Sequence, residues 1–310
     1  MKYCFGVDIG GTTVKMGLFQ EDGVLMDKWE IVTRTENAGE NILPDISASI
    51  HAKLDEAKIA KEDVIGIGMG IPAPIKEDGI VKNTANLGWG YKEVKRELEE
   101  FTGITVATGN DANVAALGEM WQGGGKGHKN MVMVTLGTGV GGGVIVEGKC
   151  LVGGHGGGGE IGHICVNYEE TECCGCGKQG CLEQYASATG IARLAKKRLA
   201  KDDKPSILRG KENNTAKDVF DAVKAGDEVA DEIATEFGNY LGHALANIAS
   251  VCDPTVFVIG GGVSKAGEIL LKYLEKPFDE KLFFGNREIE FALATLGNDA
   301  GICGAAKLVL

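Results

Sequence analysis

The stretch Met131-Val-Met-Val-Thr-Leu-Gly-Thr-Gly-Val-Gly-Gly-Gly-Val-Ile-Val146 places a glycine loop between two apolar strands, and a turn at Glu147-Gly148-Lys149 follows it. The same order of features occurs near the start of the chain, where the loop is Ile9-Gly10-Gly11-Thr12 and the turn is Glu21-Asp22-Gly23. Each copy opens a segment in which strands alternate with helices, so the repeat predicts a duplicated α/β unit. The alternative is that two glycine-tipped hairpins look alike by chance.

The rest of the chain alternates strand and helix patterns around these two hairpins. Three antiparallel strands come first, and later strands alternate with amphipathic helices, which is typical of an α/β layer with its loops along one edge. The expected strands are residues 2–9, 14–19, 24–32, 64–69, 104–107, 131–136, 140–146, 255–259 and 288–294. The expected helices are residues 41–58, 91–101, 111–121, 184–201, 215–225, 228–251, 263–274 and 299–309.

The length of 310 residues exceeds the usual size of a single hydrophobic core, so two domains with a cleft between them are expected. We predict a small N-terminal α/β domain over residues 1–118, joined by a C-terminal helix over residues 298–310. A larger α/β domain, which would carry the cysteine-rich segment, is predicted over residues 119–297. No linker rich in proline or serine separates the halves, so the helix over residues 111–121 is the expected hinge element.

The composition is that of a soluble globular protein, with 44% hydrophobic and 25% charged residues. A net charge of −12 gives no electrostatic footprint for nucleic acid or for an anionic membrane, and no apolar run reaches transmembrane length. Since no targeting signal opens the chain, we expect a cytoplasmic protein. Five of the nine cysteines fall within residues 165–181, and in a cytosolic protein such a cluster indicates a metal site more than disulfides.

The first glycine loop carries groups suited to phosphate and a divalent cation. A carboxylate at Asp8 can hold hydrated Mg²⁺, while the N–H groups of Gly10 and Gly11, the hydroxyl of Thr12 and the ammonium of Lys15 can bind phosphate. A tight glycine hairpin would explain the two glycines equally well.

The second glycine loop offers Thr138 and Gly139 as a facing phosphate clamp. Its glycines also match the dinucleotide pattern G-x-G-x-x-G, but a β-branched strand follows instead of a helix, so that interpretation fails. A third loop includes Gly261 and Gly262 between a strand and a helix, where bare backbone favours the phosphates or ribose of a nucleotide. A close-packed turn between strand and helix is the alternative for this third loop.

A candidate catalytic carboxylate lies at Asp111, within Asn110-Asp-Ala-Asn113. It follows a short strand at the seam between the repeated halves, where a base could accept the proton of a substrate hydroxyl that attacks phosphorus. The alternative is an ordinary carboxylate at the start of a helix. Glu160, His163 and Glu183 bracket the cysteines and could hold several hydroxyls of one ligand, which favours a sugar or another polyol.

A zinc site is indicated by Cys174-x-Cys176-x₄-Cys181 together with His163, eleven residues upstream of the first of these cysteines. Three thiolates and one imidazole leave no open position on a tetrahedral ion, so the zinc would be structural. Cys173 is a competing ligand, and His163 could instead be a pocket residue. His155 is better explained as a loop residue.

Taken in order, these motifs resemble the ROK family (repressor, open reading frame, kinase), and within it the bacterial glucokinases, over essentially the whole chain. The most diagnostic is the Cys-x-Cys-Gly-x-x-Gly-Cys-x-Glu run that ends at Glu183. The resemblance implies an actin-like, ribonuclease-H-like duplicated fold and ATP-dependent phosphorylation of a sugar 6-hydroxyl. It also implies a catalytic role for Asp111 and sugar contacts from Asn86, Asn110, Glu160, His163 and Glu183, with His163 touching both sugar and zinc.

A hexokinase-type enzyme that converts glucose to glucose 6-phosphate is therefore expected, with ATP, Mg²⁺ and structural Zn²⁺, as a homodimer or homotetramer. Kinases for N-acetylmannosamine or fructose keep the same skeleton, and polyphosphate is an alternative donor to ATP. A ROK repressor would place a helix-turn-helix segment before the first loop, whereas Asp8 lies close to the first residue. A nonenzymatic actin-like ATP switch is disfavoured by Asp111 and the cysteine cluster.

Overall fold

The computed structural model describes residues 1–84 and 86–310. In chain order the strands are β1 Tyr3–Ile9, β2 Thr13–Gln20, β3 Leu25–Val32, β4 Val64–Ile71, β5 Ile80–Val81, β6 Lys92–Glu93, β7 Val106–Asn110, β8 Met131–Leu136, β9 Val140–Val146, β10 Lys149–Cys150, β11 Val256–Gly260 and β12 Glu290–Leu293. The helices are α1 Glu36–Gly39, α2 Ile42–Ala57, α3 Val94–Thr102, α4 Asp111–Gln122, α5 Glu183–Ala186, α6 Ala188–Leu199, α7 Ala216–Lys224, α8 Glu228–Cys252, α9 Glu268–Lys281 and α10 Ala300–Lys307.

Two five-stranded sheets share one topology. The strand order is β3-β2-β1-β4-β7 in the first sheet and β10-β9-β8-β11-β12 in the second. Each sheet therefore begins with three consecutive strands in reverse chain order and continues with two later strands. In the first sheet β1 pairs antiparallel with β2 and parallel with β4, and in the second β11 pairs parallel with β8 and β12. This shared order confirms the duplicated α/β fold that the repeated hairpins predict.

The chain forms two compact units. The first comprises Met1–Lys129, Gly143–Gly159 and Leu296–Leu310, and the second comprises Asn130–Gly142 and Glu160–Thr295. The domain division at residues 118 and 297 stays a prediction. A core of apolar side chains from β1, β2, β4 and α2 fills the first unit, with Phe5, Met16, Ile46 and Ile67 fully buried.

Helix α10 packs unusually close to the first sheet. A Cβ atom at Gly6 of β1 or at Gly68 of β4 would overlap the carbonyl groups of Ile302 and Ala305, and one at Gly304 would overlap the carbonyl of Val114 in α4. Only glycine allows backbone to approach backbone at these positions. The three glycines therefore fix α10 against the middle of β1 and β4 and beside α4.

Two predicted helices differ from the observed ones. The helix expected over residues 184–201 breaks at Ser187, which has an extended backbone and caps α6 by accepting the N–H of Gly190. The helix expected over residues 263–274 begins as a 3₁₀ turn, Val263–Ala266, and α9 starts only after Gly267 because that residue has a φ of 85°. A side-chain hydrogen bond and one glycine with positive φ interrupt these two helices, although the helical spacing of apolar residues continues across both breaks.

Candidate active site

The first unit gathers three strand ends at one edge of its sheet. Asp8 near the end of β1 pairs in register with Gly70 of β4, and the next residue of β4, Ile71, pairs with Asn110 at the end of β7. Parallel strands bring their carboxyl ends to the same edge, which is where ligands bind in sheets of this kind. Asp8 and the Asn110-Asp111 pair, predicted separately from the sequence, thus lie along one edge.

Asp8 is enclosed by glycines. A Cβ at Gly70 would lie 3.4 Å from its Oδ1 atom, and a Cβ at Gly301 would lie 2.5 Å from its Cγ atom. Burial raises the pKa of Asp8; its cross-strand partner Lys15 opposes the rise and Asp111 adds to it. The two predicted carboxylates thus lie close enough for the charge of Asp111 to act on Asp8.

Asn110 is the N-cap of α4. Its side chain accepts the N–H groups of Ala112 (3.0 Å) and Asn113 (3.3 Å), while its amide donates to the carbonyl of Ala73 at 3.3 Å. Asp111 is the first helical residue, and its Oδ1 atom accepts the N–H of Ala112 at 2.9 Å. Asn110 therefore caps α4, and Asp111 is an acidic residue in its first turn, so the catalytic role of Asp111 stays a prediction beside the alternative of an ordinary helix-start carboxylate.

The first glycine loop is held by its own backbone. Gly10 donates to the carbonyl of Thr13 at 2.9 Å, and the Thr33 hydroxyl donates to the carbonyl of Gly10 at 2.7 Å. Gly11 and Thr12 are exposed, and a Cβ at Gly11 would lie 3.3 Å from the Cβ of Asn86. The loop and the predicted sugar residue Asn86 are therefore neighbours.

In the second unit, the glycine loop after β8 lies against the third glycine loop. Gly261 has a φ of 84°, and a Cβ there would lie 2.5 Å from the carbonyl oxygen of Leu136. Gly261 is required for both backbone conformation and close approach. Gly262 has open space around it, so the two predicted nucleotide glycines have different structural roles.

Glu183 joins the second glycine loop to the cysteine cluster. Its Oε1 atom lies 3.7 Å from Nδ1 of His163 and accepts a hydrogen bond from the thiol of Cys174 at 2.7 Å. Its Oε2 atom lies 2.6 Å from the position that a Cβ of Gly139 would occupy. Glu160 is exposed and directly precedes the 3₁₀ turn Ile161–His163, where its carbonyl accepts the N–H of His163 at 3.2 Å.

The predicted zinc ligands come together. The ligand atoms of His163, Cys174, Cys176 and Cys181 all lie within 4.8 Å of one another, with 3.8 Å between Cys174 Sγ and His163 Nδ1 and 3.6 Å between Cys176 Sγ and Cys181 Sγ. Zinc–sulfur bonds of about 2.3 Å in a tetrahedron place ligand atoms roughly 3.8 Å apart, so the residues fit this ion. Cys173 is exposed and stands outside this group.

Sequence reasoning missed an ionic cluster around the buried Glu170, just before the clustered cysteines. Arg193 of α6 binds the carboxylate of Glu170, donates to Glu172 at 3.1 Å and reaches the carbonyl of Gln184 at 3.3 Å. The Tyr185 hydroxyl donates to Glu170 at 2.5 Å. Burial alone would raise the pKa of Glu170, but the hydrogen bonds from Tyr185, the backbone and Arg193 outweigh burial and hold the pKa at about 2.

A cavity of about 320 Å³ in the second unit adjoins the third glycine loop. Its walls come from the N-terminal end of α6, from α7 and from the 3₁₀ turn after Gly262, and apolar side chains share them with a few charged ones. Its lining residues are Ala188, Thr215, Ala216, Lys217, Phe220, Asp221, Lys224, Gly262, Val263, Lys265 and Ala266. Of these residues, only Gly262 was predicted from the sequence as a nucleotide-binding residue. The others lie up to 74 residues away from it in the sequence and share no motif with it.

Residues 4–310 match the ROK family, and the chain belongs to that family. Glucokinase of Halalkalibacterium halodurans is 46% identical to it over 319 residues, which cover 99% of this chain and 95% of that protein. A ROK hexokinase of Thermus thermophilus superposes with a TM-score of 0.82 at 31% identity, covering 99% of this chain and 97% of that one. A ROK glucokinase of Streptomyces griseus, solved with glucose and AMPPNP, has a TM-score of 0.72 and 34% identity and covers 99% of this chain and 98% of its own.

These similarities confirm the family and the fold class that the motifs predict. Within residues 1–84 and 86–310, no helix combines the length and apolar character needed to cross a membrane.

Proposed function

We propose that the protein transfers the γ-phosphoryl group of ATP to the 6-hydroxyl of a hexose, with glucose as the preferred substrate. The observation that carries the proposal is the meeting of Asp8 and Asp111 at one sheet edge of the first unit, where a carboxylate for a cation and a carboxylate for a proton are electrostatically coupled. The similarity to glucokinases, one of them solved with glucose and an ATP analogue, supports both substrates.

Asp111 acts as the general base. Its carboxylate accepts the proton of the 6-hydroxyl while that oxygen attacks the γ-phosphorus; an oxygen–phosphorus bond forms, the bond between the γ-phosphorus and the bridging oxygen breaks, and ADP leaves. The N–H of Ala112 donates to Oδ1 of Asp111 and so fixes the carboxylate at the start of α4. When bound, Mg²⁺ neutralises phosphate charge, and Asp8 is the residue that would hold it through water.

The donor phosphates bind to backbone N–H groups and short side chains of the glycine loops. Gly10, Gly11, Thr12 and Lys15 serve in the first unit, and Thr138 and Gly139 serve in the second. The exposed hydroxyls of Thr12 and Thr138 are consistent with these roles. The cavity beside Gly262 has the apolar walls that a nucleoside base needs, so we assign the base to it.

The residues that bind sugar hydroxyls are Asn86, Asn110, Glu160, His163 and Glu183. The cluster of His163, Cys174, Cys176 and Cys181 would hold a structural Zn²⁺, which leaves Nε2 of His163 available for a sugar hydroxyl. Removing the ion would release His163 and the cysteine segment that carries Glu183 together.

The test is ADP release measured with a panel of hexoses. We expect turnover that depends on sugar and is highest in kcat/KM with glucose, with N-acetylmannosamine and fructose as weaker substrates. A preference for either of those two would move the assignment to another ROK kinase. ATP hydrolysis that is independent of any sugar would reject the phosphotransferase assignment.

We also propose that the enzyme is a cytoplasmic homodimer or homotetramer that binds no nucleic acid. A net charge of −12 supports the absence of nucleic-acid binding. Light scattering coupled to gel filtration measures the mass directly, and a mass of 32.6 kDa, the monomer value, would contradict the oligomer.

A further inference from the structure

Hydrogen bonds from the first turn of α6 hold the second glycine loop. The N–H of Ala188 donates to the carbonyl of Gly137 at 2.8 Å, and the hydroxyl of Thr189 donates to the carbonyl of Thr138 at 2.7 Å. These two bonds come from consecutive residues and reach consecutive carbonyls. The glycine loop is thus oriented from outside as well as by its own bond from Gly137 N–H to the Gly139 carbonyl at 3.0 Å.

Fixing a carbonyl also fixes an N–H group. A peptide unit is planar and trans, so its carbonyl and the N–H of the next residue point in opposite directions. The bond from Ala188 therefore orients the N–H of Thr138, and the bond from Thr189 orients the N–H of Gly139. Both N–H groups therefore point away from α6, and within the described part of the chain neither donates to another protein atom, which leaves them available to a phosphate oxygen.

Thr189 is also connected to Glu183. Its hydroxyl oxygen lies 2.9 Å from that of the fully buried Ser187, and the Ser187 hydroxyl lies 2.6 Å from the carbonyl oxygen of Glu183. Each hydroxyl has one proton, so the three contacts around Ser187 and Thr189 cannot all be hydrogen bonds at one moment. The two hydroxyl protons of Ser187 and Thr189 are therefore shared among three contacts, and these contacts connect the carbonyl of Thr138 to the carbonyl of Glu183.

We propose that Thr189 is a positioning residue for the phosphoryl donor, and that the Ser187–Thr189 pair couples the donor loop to the sugar residue Glu183. This inference rests on the proposed function, which gives the donor to Thr138 and Gly139 and the sugar to Glu183. Thr189 touches neither substrate in this role; it acts through the peptide of Thr138.

The experiment compares Thr189→Val, which keeps the shape and removes the hydroxyl, with Thr189→Ser, which keeps the hydroxyl. We expect the valine variant to raise the KM for ATP and the Kd for AMPPNP roughly three- to tenfold, the effect of losing one neutral hydrogen bond. Its melting temperature should change little, because the Ala188 bond and the Ser187 cap remain. The serine variant should stay within about twofold of wild type in every quantity.

Ser187→Ala tests the coupling. It removes the bond to Glu183 and the cap of α6 together, so we expect both the ATP and the glucose KM to rise, and a rise in only one of the two overturns the coupling. A valine variant with unchanged ATP KM and AMPPNP Kd, or one that loses only thermal stability, overturns the role of Thr189. A serine variant as impaired as the valine variant does the same.

The two proposals fail in different ways. Wild type without sugar-dependent ADP release rejects the proposed function, while AMPPNP binding to the three proteins still decides the role of Thr189. Wild type that is active while its valine variant is normal rejects the positioning role alone. Wild type that binds no AMPPNP rejects both.

Discussion

Asp111→Asn separates the chemical step from folding because the hydrogen bond to the N–H of Ala112 and the cap of α4 both survive the change. The amide oxygen can still accept the N–H of Ala112, now 2.9 Å from Oδ1, and Asn110 remains the cap of α4. The lost charge at the helix start costs about 0.3–1 kcal/mol, and relief of repulsion with Asp8 offsets part of it. We therefore expect a melting temperature close to that of wild type.

The rate should fall much further. Removing a general base lowers turnover about 10²- to 10⁴-fold, equivalent to about 3–5 kcal/mol of barrier. The assay is ADP release at saturating ATP and glucose, paired with calorimetric titration of glucose into the inactive variant. Glucose affinity should change only modestly because the amide keeps the size of the carboxylate. A variant with kcat within tenfold of wild type would refute the role of Asp111, and one that no longer binds glucose would reassign it to sugar recognition.

Four further predictions concern the cation, the base cavity, the metal and the pH dependence. Asp8→Asn should abolish Mg-ATP use, which enzyme assays measure, and unchanged Mg-ATP kinetics would contradict the cation role of Asp8. The melting temperature should rise, because burial disfavours the ionised carboxylate of wild type. Gly262→Val should raise the ATP KM without loss of stability, since nothing obstructs a side chain there, whereas the matched variant Gly261→Val should unfold the loop. Kinetics measure the first effect and calorimetry the second, and equal melting temperatures of the two variants would contradict the different roles of these glycines. Cys176→Ser should lower bound zinc and raise the glucose KM more than the ATP KM, checked by metal analysis beside two-substrate kinetics; full zinc occupancy would remove Cys176 from the ligand set. Glu170 has a folded pKa of about 2, below its ordinary value of 4.5, so the stability it contributes is complete above about pH 4.5 and is lost as the pH falls toward 2. In urea titrations, the stability advantage of wild type over Glu170→Gln should shrink across that pH window. An advantage that stays constant would exclude the carboxylate as its source.

Functional residues are predicted best from the sequence where they lie close together in one short segment. Asp8 with its glycine loop and Asn110-Asp111 each lie within a few residues, and His163 lies eleven residues before the first of the clustered cysteines, so spacing indicates their chemistry. The repeated hairpins likewise predict two sheets of shared strand order, because strand pairing follows the order of adjacent strands.

The sequence predicts poorly where partners meet only in three dimensions. Arg193 reaches Glu170 across 23 residues and no motif joins them, and the cavity beside Gly262 takes a wall from α7. The break at Ser187 depends on its hydroxyl, which accepts the N–H of Gly190; this bond competes with a continuous helix and leaves the apolar pattern unchanged. Such features follow from tertiary packing that residue periodicity does not encode.

The close approach of α10 to β1 and β4 has a consequence for biosynthesis. The first unit includes Leu296–Leu310, so its sheet cannot complete its packing until the ribosome has passed residue 307, although its first strand is made among the earliest residues. The second unit, over Asn130–Gly142 and Glu160–Thr295, is fully translated before that point. Domains usually fold in the order in which they are made, but here the half that is begun first is finished last, and β1 and β4 must wait for α10 with an apolar face uncovered.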